Sequence, residues 1–88
     1  MKVRSQTFAL GKYWIKWIDS ALCGMCDLPD GKDNLWMWIP EGNTENDLAT
    51  CLHEVAHAEG LPDKYLDGEW DVTEAMAKLL WRAGWRKS

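Results

Sequence analysis

The sequence is defined first by what it has little of. It contains no apolar run long enough to cross a membrane. Its opening stretch, Met1-Lys2-Val3-Arg4-Ser5-Gln6-Thr7, lacks the apolar core of a secretory leader. It has three cysteines, an odd number that suits no closed disulfide framework and fits a reducing compartment. These absences lead to the expectation of a cytoplasmic protein with no membrane partner. Basic charge is also short: the formal net charge is −4, with no basic tail, which argues against a nucleic-acid partner. There is no internal repeat and no low-complexity stretch. Histidine is scarcest in the way that matters most, since the chain has only two.

What is present is a short, tryptophan-rich chain. Its 88 residues point to a single domain spanning 1–88. A domain of that size buries only about 60–65% of its unfolded surface and is marginal without added support. Seven tryptophans supply unusual apolar area, and a bound metal would add more stability.

Both histidines fall in Leu52-His53-Glu54-Val55-Ala56-His57-Ala58, an H-E-x-x-H pattern. On a helix, residues four apart share a face one turn above each other, so both imidazoles can grip one Zn²⁺. Glu54, offset by one position, can reach a water on the open side of that ion. His53 and His57 are therefore candidate metal ligands and Glu54 the candidate catalytic base.

Taken in order, the chain reads as four short strands followed by two helices. Residues 2–8 alternate loosely, Tyr13–Ile18 is aromatic and β-branched, Ala21–Cys26 is short with a bend at Gly24, and Leu35–Ile39 is closed by Pro40. The breakers of 27–34 mark a turn. Short connections predict a small, mostly antiparallel sheet, hence an α+β fold. Thr44, with Asp47 three residues on, resembles a capping box, and Gly60 with Pro62 ends that helix. Leu48, Leu52 and Val55 are its expected apolar stripe. The second helix is expected from Glu69 or Asp71 to Ala83. Its solvated face would hold Asp71, Ala75, Lys78 and Arg82. Thr73, Met76, Ala77, Leu80 and Ala83 would lie opposite, flanked by Leu79 and others. The tail from Trp85 is expected over the sheet or free.

Two histidines are too few for a catalytic zinc, which takes three protein ligands and keeps one position open. Glu69 is the first choice for the third. It would project from the apolar face, where a carboxylate is costly to bury unless something pairs with it. Glu74 is the alternative, although with Asp71 it could simply cap the helix. Asp71 itself is set aside as solvent-facing. Tyr65 is the one phenol between the ligands and a candidate oxyanion donor, though a packing role suits it better. The fourth strand directly precedes the metal helix and could pair with an extended peptide if it were an exposed edge. Cys23-Gly24-Met25-Cys26 is a lone C-x-x-C and reads as structural.

Four segments together resemble a known family. They are the opening Lys2-Val3-Arg4, the turn Gly24-Met25-Cys26-Asp27-Leu28-Pro29-Asp30, the stretch Asn46–Ala58 around the histidines, and the ending Leu79-Leu80-Trp81-Arg82-Ala83-Gly84-Trp85-Arg86. With them the whole chain looks like the small zinc metallopeptidases of phages and bacteria, a minimal zincin-like fold. The resemblance implies a zinc ion, His53 and His57 as ligands and Glu54 as general base. It also implies a third, acidic ligand at the start of the last helix, at or next to Glu69, where this sequence departs from the pattern by about a residue.

The expected function is a zinc-dependent peptidase acting on a peptide or protein substrate. A zinc-stabilised binding module that cleaves nothing is the alternative. A nucleic-acid-associated protein using Lys2, Arg4, Lys12 and Lys16 is a weaker third reading.

Overall fold

A computed structural model of the chain describes residues 3–19, 24–27, 34–68 and 71–86. Its strands are β1 (Val3–Phe8), β2 (Gly11–Ile18), β3 (Met25–Cys26) and β4 (Leu35–Pro40). They are followed by the helix α1 (Glu45–Ala58), a 3₁₀ turn at Asp63–Tyr65 and the helix α2 (Val72–Arg82). This is the expected α+β class. None of these helices is long and apolar enough to cross a membrane.

The sheet order is β1-β2-β4-β3. β1 with β2 and β3 with β4 are antiparallel, as expected, but the central pair β2–β4 is parallel. The chain between them, residues 19–34, is long enough for the crossover a parallel pair demands, and it drops β3 at the far edge. β4 is therefore an interior strand, not the exposed edge on which a peptide could pair; the edges are β1 and β3.

The period-two alternation of β2 and β4 sorts their side chains cleanly. Tyr13 is opposite Leu35, and Ile15 opposite Met37. With Ile39 and Ala58 of α1 they form the buried core. The other sheet face carries Trp14 opposite Trp36, whose rings are 6.4 Å apart, and Trp38 opposite Lys16. Arg4, over the ring of Trp17 at 4.9 Å, shares the core-side face with Ile15, its register partner. The strand cations thus divide between the two faces, Lys12 and Lys16 on one and Arg4 on the other, so they make no continuous basic surface; Lys2 lies outside the described residues.

Both helices end in the same way. Gly60 and Gly84 have positive φ, of 84° and 101°. The amide of Leu61 reaches the Ala56 carbonyl and that of Trp85 the Leu80 carbonyl, each at 3.0 Å. Glycine is favoured at these positions because a Cβ disfavours the left-handed backbone that such endings need. The start of α1 is capped by Thr44, whose Oγ1 accepts from the Asp47 amide at 3.1 Å.

Of the expected stripe Leu48, Leu52 and Val55, only Val55 packs against the core cluster. Asp47, Glu54 and Ala58 are the buried residues of α1, with Cys51 and Val55 packed against the core, whereas Leu48 and Leu52 are only half-buried. The inward face therefore carries two carboxylates. α2 packs on α1 and buries Thr73 and Ala77, whose small side chains let the helices approach closely. Met76 and Leu79, expected on or beside the buried side, are exposed.

Candidate metal centre

The third and fourth turns of α1 hold the histidines. Nε2 of His53 and Nε2 of His57 converge to 3.1 Å. Two Zn–N bonds at a tetrahedral angle would set these atoms about 3.3 Å apart. Together with a carboxylate oxygen of Glu54, their ligand atoms lie within 4.8 Å of one another. This is the one cluster among the described residues with the donor set of a metal site.

The backs of both imidazoles face acids. Nδ1 of His53 is 3.4 Å from Oδ2 of Asp71, and Nδ1 of His57 is 4.0 Å from Oδ1 of Asp63. A proton on Nδ1 is favoured by a carboxylate there, which leaves the Nε2 lone pair free for a metal. The two acids are not equal. Asp63 is 85% exposed and beyond hydrogen-bond distance, so it contributes only a screened field. The Asp71 side chain is 17% exposed. It is also fixed in place as the N-cap of α2, accepting from the Thr73 amide at 2.9 Å, the Glu74 amide at 3.2 Å and the Thr73 hydroxyl. Burial alone would raise its pKa. The bonds from Thr73 and Glu74, with His53 nearby, outweigh burial and hold it below the ordinary carboxylate range.

Asp71 is thus the main correction at the site. The sequence pattern sets it on the solvated face of α2, but as an N-cap it precedes the first helical residue and its side chain turns toward α1. Ala75, Lys78 and Arg82, the rest of that face, are exposed as expected. Glu74, the alternative third ligand, is exposed and pairs with Lys78 at 3.6 Å, outside the histidine cluster. Glu69, the first choice, lies outside the described residues, as does Cys23. Tyr65 is 41% exposed, with the Lys64 ammonium 5.0 Å from its ring centre.

Glu54 is only 5% exposed, and its Oε2 has no hydrogen-bond partner. Burial pushes its pKa up, with His53 pulling the other way. A buried, unpaired carboxylate beside two convergent imidazoles is what a divalent cation would relieve, so these residues fit a metal. Gly24 closes the site on the sheet side. A Cβ there would come within 2.5 Å of Thr50 Cγ2 and 3.0 Å of Glu54 Cγ, so only glycine lets the strand lead-in pass this close to α1. β3 is stitched to β4 by Asp27, whose amide donates to the Trp36 carbonyl at 2.9 Å while its Oδ2 accepts from the Trp36 amide at 3.0 Å. Next to it, Tyr13 donates to the Asp27 carbonyl at 2.8 Å.

No family model, curated protein or solved structure matches the chain.

Proposed function

We propose that the protein is a zinc-dependent peptidase in which His53 and His57 hold the metal and Glu54 is the general base. The observation that carries this reading is the convergence of the two Nε2 atoms at 3.1 Å, with the Glu54 carboxylate in the same cluster. Zinc bound there would supply Lewis acidity, making water acidic near neutral pH and polarising a carbonyl. Glu54 would accept the proton of the attacking water and return it to the departing amine; its raised pKa suits both halves of that task. Asp71 would hold His53 in the tautomer that keeps Nε2 free. The third ligand is proposed as Glu69. The family resemblance supports this choice, since it implies an acidic ligand at or next to this position.

The test is cleavage of an unfolded protein by zinc-loaded material. Glu54→Gln should abolish it while zinc stays bound, and cleavage that survives the substitution refutes the peptidase reading. One observation favours the second reading, a zinc-stabilised binding module: Glu54 is almost fully covered, which restricts access to a substrate. Under that reading Glu54→Gln leaves the protein's biological effect intact, and His53→Ala unfolds the chain.

A further inference from the structure

α1 carries a second buried carboxylate far from the histidines. Asp47 is 2% exposed, and its Oδ2 has no hydrogen-bond partner. It lines a half-open cavity of about 230 Å³ between the end of β4, the start of α1 and the chain that follows α2. The walls are almost wholly apolar, with Trp17, Leu48, Trp81 and Trp85 among them. Asp47 lies six residues before His53, about 9 Å along the helix axis, and belongs to neither histidine's surroundings.

We infer that this cavity binds a small primary amine carried on an apolar body, with the ammonium group on Asp47. A carboxylate withdrawn from water without a donor is unfavourable, and an ammonium supplies both donors and opposite charge. The indole walls suit the rest of such a ligand, since they offer apolar area and π faces that attract cations. One of them already does so within the chain: the Arg86 guanidinium lies 3.5 Å from the centre of the Trp81 ring. Arg86 also lines the cavity, but its Nη1 donates to the Trp81 and Trp85 carbonyls at 2.9 and 2.7 Å. Among the described residues of the lining Asp47 is the one acidic side chain, so the ligand's charge has a single destination there. The volume falls below the roughly 300–1,000 Å³ of ordinary ligand pockets, which limits the occupant to a small molecule.

The test compares phenethylamine with phenethyl alcohol at neutral pH, read by tryptophan fluorescence and by the indole N–H resonances of Trp17, Trp81 and Trp85. The amine should bind saturably, in the millimolar range or tighter. It should bind about ten- to a hundredfold more tightly than the alcohol, the margin of a hydrogen bond to a charged group. Asp47→Asn should bring the amine down to the affinity of the alcohol. Trp85→Ala removes a wall that is 65% exposed, so the fold should persist while both ligands weaken. Equal affinity for amine and alcohol overturns the inference, as does the absence of saturable binding or a Trp85→Ala variant that binds unchanged. Should Asp47→Asn fail to fold, the amine-to-alcohol ratio and Trp85→Ala decide the matter.

Discussion

The two ends of α1 place the same group in the same position and surround it differently. Asp47 and Glu54 are seven residues apart, two turns along one stripe, and each buries a carboxylate oxygen with no partner. Around Glu54 stand two histidines, with Asp71 behind one of them. Around Asp47 stand tryptophans and a small cavity. A buried carboxylate oxygen of this kind by itself shows only that it lacks a partner. Its neighbours decide what kind of partner would suit it: imidazoles suit a borderline divalent metal such as zinc, and indoles an organic cation.

The largest effect that would break this contrast is metal removal. Chelation, or His57→Ala, should destabilise the chain by several kcal/mol, measured as a fall in thermal midpoint reversed by zinc in the unaltered protein. Asp47→Asn should leave that zinc-dependent shift in place. Gly24→Ala comes next. It overpacks the contact with Thr50 and Glu54 and should cost about 1–3 kcal/mol in denaturant unfolding, together with weaker zinc binding. The acids behind the imidazoles should separate sharply. Asp71→Asn keeps a good helix cap but loses the charge, so zinc affinity should fall about 10–100-fold in a competition titration. Asp63→Asn should change it less than about twofold, since that side chain is exposed and distant.

A further expected effect concerns the sheet beneath both sites and appears only in alkali. Burial pushes Tyr13 up to about 12 and Cys26 up to about 11. Both favour the neutral form in the folded state, so the stability they contribute is whole below pH 9. It is lost as pH rises through about 11 to 12, by an amount of order 1 kcal/mol or more. A pH series of urea midpoints should be flat with respect to these groups up to about pH 9 and fall beyond it.

How far the sequence was legible follows from how local each feature is. The helix ends were readable because Thr44, Gly60 and Gly84 act on backbone a few residues away. So was the histidine pair, whose geometry is one turn of helix. The buried stripe of α1 was misjudged because hydrophobic periodicity assumes that inward positions are apolar. Here Asp47 and Glu54 hold two of them, a conflict between pattern and burial of the kind that marks binding sites. The parallel β2–β4 pair depends on where a crossover carries the chain, which no local signal encodes. The place of Asp71 depends on its lying one residue outside a helix, where periodic placement stops applying. The peptidase reading itself rests on the motif and the convergence of its side chains.

The most direct test of the central claim is the zinc content of purified protein by elemental analysis, paired with calorimetric titration of the chelated form. The account predicts about one zinc per chain, recovered on titration and absent from His53→Ala. A chain that carries no zinc, and takes none up when zinc is added to folded protein, contradicts it.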